Sequence, residues 1–553
     1  MPSYAIGIDF GTESGRVLLV DVADGREIAT AVHAYANGVI DQLLPGSGQP
    51  LPPDWALQDP GDYIAVLQQA IPAVLQESGV DAADVIGVGI DFTSCTILPT
   101  LRDGAPLCRL PQWRGEPHAW VKLWKHHAAQ PEADRINDLA LARQEPWLEL
   151  YGGKISSEWF FSKALQMLDE APAVYHAAER IIEAADWIVW QLTGREVRCT
   201  STAGFKAIWQ AESGYPSASF LAALHPDFAN IVEAKMAASL QPLGSRAGGL
   251  TEEAAAWTGL RPGTPVGVAV IDAFSAVYAG QTTAPGVMAI ILGTSTCHML
   301  IAKEKIPVPG VTGLVKDAFI PGYYGYEAGQ AATGDILAWF VRRGVPPVYH
   351  EEAERRGISL YALLEEAAAQ QRPGAHGLLA LDWWNGVRST LGDAELSGML
   401  VGATLATTAP DIYRTLIEGT AYGTRHIVEN FERHGVPVTQ IVAAGGLAEQ
   451  NRLLMQIYAD VLNRELRVVK SGQAGALGAA VLGAVAAGVE GGGHPDLLTA
   501  TQTMGGLRNE AFTPIAEHVA IYDQLYAEYS RLYQYFGKEN EVMKTLRRLR
   551  NEN

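Results

Sequence analysis

Two stretches of this 553-residue sequence combine the residue types that bind a polyphosphate. In Ile8-Asp9-Phe10-Gly11-Thr12-Glu13-Ser14-Gly15-Arg16 an acidic residue ends an apolar run, and two glycines and two hydroxyls follow at once. Gly11 lets backbone N–H groups turn toward a ligand with no Cβ in the way. Thr12 and Ser14 add hydroxyl donors, so the tip can cradle an anion such as phosphate. Asp9, at the strand end, can hold Mg²⁺ through water, because magnesium keeps most of its waters and takes one or two carboxylates beside the phosphates. Taken alone, one such turn is better read as an ordinary surface hairpin. The device occurs twice, however: in "MAIILGTSTCHML", residues 288–300, an apolar strand runs into Gly293-Thr294-Ser295 and back into a strand. The duplication points to two similar halves facing one polyphosphate. Neither a G-x-x-x-x-G-K-[ST] loop nor a strand followed by G-x-G-x-x-G is present.

The elements that must position these tips read as alternating strands and helices. "YAIGIDF" and "RVLLVDV" form the arms of the first hairpin. A helix from Pro60 to about Ser78 leads to a buried strand, "VIGVGIDFT". Residues 99–150, rich in Trp, His and Pro, read as an insertion; helices follow from about Ser157 to Thr193, and the strand "PVGVAVIDAF" closes the first half. "GQTTAPG" at 280–286 reads as the hinge, because small residues and Pro break both periodicities. In the second half, apolar residues recur at helical spacing from Asp411 to Arg433, with Gly419 and Gly423 on one face for close packing. "QIVAAGGLAEQNRLLMQIYADVL" reads as a strand, a Gly445-Gly446 turn and a helix, so that backbone can approach a flat ligand at the turn. "GVEGGGHPD" at 488–496 marks the expected end of the core, and a tyrosine-rich helix after Pro514 is expected to dock as a brace. The neighbouring His126 and His127 read as partly exposed helix residues, since adjacent positions on a helix point apart.

Bulk properties narrow the function. Hydrophobic residues at 48% and charged residues at 18% describe a globular chain. A net charge of -20 opposes a nucleic-acid or anionic-membrane partner, and the basic run "KTLRRLR" at 544–550 reads as a solvated helix end. Cys95, Cys108, Cys199 and Cys297 lack C-x-x-C spacing, which suits packed thiols in a reducing compartment and neither a zinc site nor a disulfide framework. The start lacks the pattern of a signal peptide, so a cytoplasmic location is expected. "AGALGAAVLGAVAAGV" at 474–489 is short of a membrane span and reads as a close-packed soluble helix.

With Gly-Thr hairpins in both halves, an Asp-bearing strand between them and a Gly-Gly turn before a helix, the chain resembles the FGGY carbohydrate kinases of the actin-like ATPase superfamily. The match is ordered and nearly full length. It implies an α/β fold of two actin-like (ribonuclease H-like) domains with a catalytic cleft between them, divided as residues 1–282 and 283–553. "WRGEPHAWVKLWKHHAAQPEADRIN", "GGKISSEWFFSKALQ", "TSTAGFKAIW" and "YYGYEAGQAATGDILAWF" resemble the branch of that family that uses ATP to make L-ribulose 5-phosphate from L-ribulose. One departure is Gln473 in "SGQAGALGAA", where the family favours a glutamate.

The resemblance implies ATP and Mg²⁺ as cofactors. It puts phosphates on Gly11, Thr12, Ser14 and Arg16 and on Gly293, Thr294 and Ser295, adenosine near Gly445, Gly446 and Asn451, and the metal at Asp9. It implies Asp272 as catalytic base and sugar contact, with Ser94, Lys206 and Glu327 as further sugar contacts. Without that pattern Asp272, before "AFSA", reads as a helix N-cap, and Lys206 as a solvated lysine. The expected partners are ATP and a small sugar, with no nucleic acid and no membrane; a homodimer stays open. Two other readings also stay open: a kinase for D-ribulose or xylulose, and an actin-like ATP-binding module that is no kinase.

Overall fold

The computed structural model describes residues 2–552 and contains two seven-stranded sheets. In the first half, β1 (Tyr4–Phe10), β2 (Ser14–Asp21), β3 (Glu27–Ala34), β4 (Val85–Phe92), β5 (Arg246–Gly249) and β6 (Pro265–Gly267) lie in the order β3-β2-β1-β4-β6-β5, and β7 (Val270–Ile271) also pairs with β4. In the second half, β8 (Val287–Leu292), β9 (Thr296–Ala302), β10 (Gly313–Lys316), β11 (Tyr324–Gln330), β12 (Gln440–Ala444), β13 (Leu466–Val469) and β14 (Leu507–Phe512) lie in the order β10-β11-β9-β8-β12-β13-β14. Four strands repeat one plan: β3-β2-β1-β4 and β11-β9-β8-β12 each pair antiparallel, antiparallel, then parallel. The two Gly-Thr hairpins are the β1–β2 and β8–β9 turns, at corresponding places in the two sheets.

The helices that matter for the cleft are α1 (Pro60–Ser78), α2 (Thr200–Lys206), α3 (Asp272–Ala279), α4 (Gly334–Arg343), α5 (Ala409–Arg433), α6 (Arg452–Leu462), α7 (Ala474–Ala487) and α8 (Ala516–Gln534). Helix α1 starts on Asp59, whose carboxylate accepts the Gly61 N–H, and ends on Gly79 in the left-handed conformation, so its limits follow from local chemistry. Helix α7 is built of Ala, Gly, Leu and Val and is apolar on every side, the composition of a helix enclosed by protein.

What encloses α7 is the other half of the molecule. It follows β13 of the second sheet, yet it lies on β1 and β4 of the first. A Cβ on Gly89 would stand 1.7 Å from the Ala479 carbonyl oxygen, and one on Gly478 would stand 1.9 Å from the Ser275 carbonyl oxygen. Backbone therefore rests on backbone at both places. Helix α3 crosses reciprocally: it belongs to the first half, and its end at Gly280 packs on Val442 and Val469 of the second sheet. One buried cluster consequently holds Ile8 and Ile90 together with Val442, Val469 and Leu482.

Two local expectations are corrected and a third is extended. The core does not end at 488–496: the chain returns as β14, which pairs antiparallel with β13 at the sheet edge. His126 and His127 are not on a helix; they follow a turn closed by the His126 N–H on the Leu123 carbonyl, and His126 is fully buried against Trp55. The tyrosines of α8 pack as expected but also hydrogen-bond, Tyr522 to Glu418 and Tyr529 to Asp382. No helix among the described residues is long and apolar enough to cross a membrane.

The α7 crossing makes a direct prediction. Gly478→Val forces a branched side chain against the Ser275 carbonyl, and overpacking of this kind costs about 1–3 kcal/mol or more. A clearly lowered thermal midpoint is expected; an unchanged midpoint would contradict the close crossing.

Candidate active site

Each hairpin tip is tied back through its carbonyl oxygens. In the first, the Gly11 N–H donates to the Ser14 carbonyl at 3.0 Å, Tyr35 Oη donates to the Gly11 carbonyl at 3.0 Å, and Gln58 Nε2 donates to the Thr12 carbonyl at 2.7 Å. In the second, the Gly293 N–H donates to the Ser295 carbonyl at 3.0 Å. There the Gly293 carbonyl accepts from the Gly334 N–H, and the Thr294 carbonyl accepts from the N–H groups of Thr333 and Asp335. Engaging these oxygens removes acceptors that would repel a phosphate. Ser14, Thr294 and Ser295 keep hydroxyls with no hydrogen bond among the described residues, whereas Thr12 Oγ1 accepts from Trp124 Nε1 at 3.0 Å.

Three aspartates stand together behind the first hairpin. Asp9 pairs in register with Asp91 across the parallel β1–β4 ladder, and β7, which continues into Asp272, pairs with β4 at Asp91 and Phe92. Asp91 is fully buried, and neither carboxylate oxygen has a donor. The two carboxyls can bond each other only when one of them carries a proton. Burial first, then the charges of Asp9 and Asp272, push its carboxyl well above the ordinary range. Burial also raises Asp9, against the pull of its contact with Asp91 and of the Arg16 guanidinium at 3.8 Å. Asp272 is raised to about 7 by burial and by the Asp9 charge, although the Ala273 N–H at 2.6 Å on Oδ1 pulls the other way. Ile271, not Asp272, is the residue preceding the first turn of α3, so the cap reading fails, but the carboxylate does accept a first-turn N–H.

Asp91 was absent from the sequence-based site, although a signal existed. Gly7-Ile8-Asp9-Phe10 and Gly89-Ile90-Asp91-Phe92 are the same tetrapeptide, on adjacent strands in register. Two facing carboxylates with an unmet acceptor are a donor set suited to a hard cation that takes one or two carboxylates beside phosphates. Among the described residues, no group of three or more His, Cys, Asp and Glu side chains could hold a metal ion.

The two halves also meet through a buried ion pair whose charges act on Asp272. Lys206, the last residue of α2, reaches Glu327 in β11 with Nζ 2.7 Å from Oε2. Burial pulls the Lys206 ammonium down, but the Glu327 carboxylate outweighs this and sets it at about 12. It is therefore charged, not a solvated surface lysine. Ser94 lies in the turn after β4, beside Cys95 in the left-handed conformation at φ 56°. The buried Lys163 ammonium anchors that turn by donating to the Cys95 carbonyl at 2.6 Å. A second contact between the halves, Arg388 with Glu158 at 3.5 Å, was also not foreseen.

The turn expected near adenosine divides. Gly445, at φ 95°, lies so close to β8 that a Cβ would stand 2.5 Å from the Leu292 carbonyl oxygen, which places it next to the second hairpin, and Gly446 faces open space. Asn451 is buried as the cap of α6: Oδ1 accepts from the Leu454 N–H and Nδ2 donates to Tyr413 Oη. Its carboxamide is engaged at both ends. Gln473 bonds across the halves, accepting from Thr30 Oγ1 at 2.8 Å.

Twin hairpins in twin sheets, crossed by α3 and α7 and joined by a buried ion pair, define a two-domain phosphotransferase of the actin-like class. The sequence pattern of the FGGY family of carbohydrate kinases, N-terminal domain, matches residues 4–279, and that of the C-terminal domain matches residues 288–487. The chain belongs to this family and is a carbohydrate kinase. A ribulokinase from Geobacillus thermodenitrificans is 54% identical over 545 residues, covering 98% of this chain and 96% of its own. One from Mycolicibacterium smegmatis is 53% identical over 550 residues, covering 99% and 97%. Among solved structures, a ligand-bound xylulose kinase from Lactobacillus acidophilus matches with a TM-score of 0.79 at 18% identity, over 97% of this chain and 99% of that one. Glycerol kinase from Plasmodium falciparum with ADP matches with 0.74 at 15% identity, over 96% and 98%. At such identities these two likenesses concern the fold.

Because Lys206 and Glu327 join the halves, Lys206→Met strands a buried carboxylate, a loss of about 3–5 kcal/mol when no partner replaces it. Faster hydrogen exchange is expected in residues 200–206 and 324–330. Exchange at the wild-type rate in both segments would remove the pair as a bridge.

Proposed function

We propose that this kinase transfers the γ-phosphoryl group of ATP to the 5-hydroxyl of L-ribulose, giving ADP and L-ribulose 5-phosphate in L-arabinose catabolism. The observation that carries the reading is Asp272. A carboxyl raised to about 7 stands at the start of α3, within the fields of Asp9 and of the Lys206–Glu327 pair. A filament or chaperone module has no need of such a set. The relatives named ribulokinase, at 54% identity over 98% of the chain, support the choice of sugar.

In this reading the phosphates lie on Gly11, Thr12, Ser14 and Arg16 and on Gly293, Thr294 and Ser295, and the adenosine lies against Gly445 and Gly446. Ser94, Lys206 and Glu327 hold the sugar. Residues 1–282 supply the sugar side and the first hairpin, and residues 283–553 supply the nucleotide side. The sugar hydroxyl oxygen forms a bond to the γ-phosphorus, the bond from phosphorus to the bridging β-oxygen breaks, and ADP leaves with that electron pair. Asp272 takes the hydroxyl proton. Such a transfer needs alignment and charge neutralisation more than covalent help from the protein. Asp9 and the facing Asp91 are the residues that would hold Mg²⁺, which when bound neutralises phosphate charge. The four free thiols suit the cytoplasm.

The test is Asp272→Asn, which keeps the shape and loses the base. Turnover is expected to fall about 10²- to 10⁴-fold, with ATP affinity by calorimetry little changed. Since only the ionised carboxylate accepts a proton, the wild-type kcat/KM should fall as pH drops below about 7 and level off above it. Wild-type turnover in the variant would overturn the assignment.

A further inference from the structure

A γ-phosphoryl group in transfer carries charge that a protein commonly meets with a lysine or arginine. The sequence has no G-x-x-x-x-G-K-[ST] lysine to do so. Of the cations already described, Lys206 is paired with Glu327 and Arg388 with Glu158, and Arg16, assigned to the phosphates above, stands 3.8 Å from Asp9. The segment "KLWKHH", which no role above absorbs, supplies another.

Residues Leu123, Trp124, Lys125 and His126 form a tight turn closed by the His126 N–H on the Leu123 carbonyl at 3.0 Å. The turn is fastened from both sides. The Leu123 N–H donates to the Ala56 carbonyl, and the buried Lys163 ammonium donates to the Leu123 carbonyl at 2.6 Å. Trp124 Nε1 donates to Thr12 Oγ1, on the first hairpin. Burial raises the Asp335 carboxyl, and the charges of Arg342 and then Lys125 pull it back. The Asp335 N–H is itself bonded to the Thr294 carbonyl of the second hairpin. Lys125 is half-buried and makes no hydrogen bond or close ion pair among the described residues.

We propose that Lys125, half-buried on a turn fastened to the first hairpin through Trp124 and without a partner among the described residues, is a catalytic residue that contacts the γ-phosphoryl group of ATP. The inference rests on the kinase reading above and extends it to a residue of the insertion. The fastened turn holds Lys125 beside the first hairpin, so the charge is in place before transfer and costs little reorganisation during it. The buried Lys163 is then a positioning residue, since it fastens both this turn and the Ser94 turn.

The experiment compares binding of a non-hydrolysable ATP analogue and of ADP by calorimetry, in wild type, Lys125→Met and Lys125→Arg, with thermal midpoints as a folding control. Because ADP lacks the γ-phosphoryl group, Lys125→Met should weaken the ATP analogue about tenfold or more, the scale of one charge-assisted hydrogen bond. It should leave ADP within about twofold, and lower kcat. Lys125→Arg should recover part of the analogue's affinity. An unchanged ratio of analogue to ADP affinity in Lys125→Met overturns the proposal, and so does an equal loss of both ligands. If wild type binds neither nucleotide, the kinase reading itself fails, and the inference with it.

Discussion

The molecule depends on one close approach, that of the small-residue helix α7 to the first sheet and to α3. Gly478 meets the Ser275 backbone and Gly89 meets the Ala479 backbone at distances no side chain allows. Because α7 belongs to one half and lies on the sheet of the other, while α3 does the reverse, the halves share a core where they cross and part only beyond it. The cleft opens where that shared core ends. Asp272, the first residue of α3, stands at that point, as does the first turn of α7, where a Cβ on Gly475 would meet Asp9 and Asp91 at 3.2 and 3.3 Å.

Electrostatics at the cleft follow from that geometry. Strands β1, β4 and β7 bring three carboxyl groups to one level, where burial raises all three. The Asp272 carboxyl is thereby raised to about 7. Elsewhere the charges are paired between the halves, Lys206 with Glu327 and Arg388 with Glu158. Pairs that span the halves are made only when the halves are close.

Much of this was legible in the sequence because it is local. Both hairpins, α1, α5 and the strand before Gly445 are set by apolar periodicity, glycine and capping residues within a few positions of each other. What was missed depends on distance along the chain. Asp91 matters because β4 lies in register beside β1, and only the repeated Gly-Ile-Asp-Phe hinted at it. The destination of α7 cannot be read from a helix that is equally apolar on every side. His126 was misread because a pair of histidines suggested a helix, whereas a turn buries the first of them against Trp55. Strand β14 follows a glycine-rich stretch that resembles an ending, and its partner β13 lies about forty residues earlier. Asn451 shows the converse: its position in the motif suggested a ligand contact, while the local rule for helix starts explains the hydrogen bonds it makes.

The central claim is that the cleft couples a polyphosphate on the twin hairpins to a sugar hydroxyl at Asp272. The most direct measurement is ADP release from ATP by the purified chain, with and without each of L-ribulose, D-ribulose, D-xylulose and glycerol, with the product identified by phosphorus NMR. The account predicts ADP release that requires sugar, is fastest with L-ribulose, and yields the 5-phosphate. ADP release at the same rate without any sugar would contradict it.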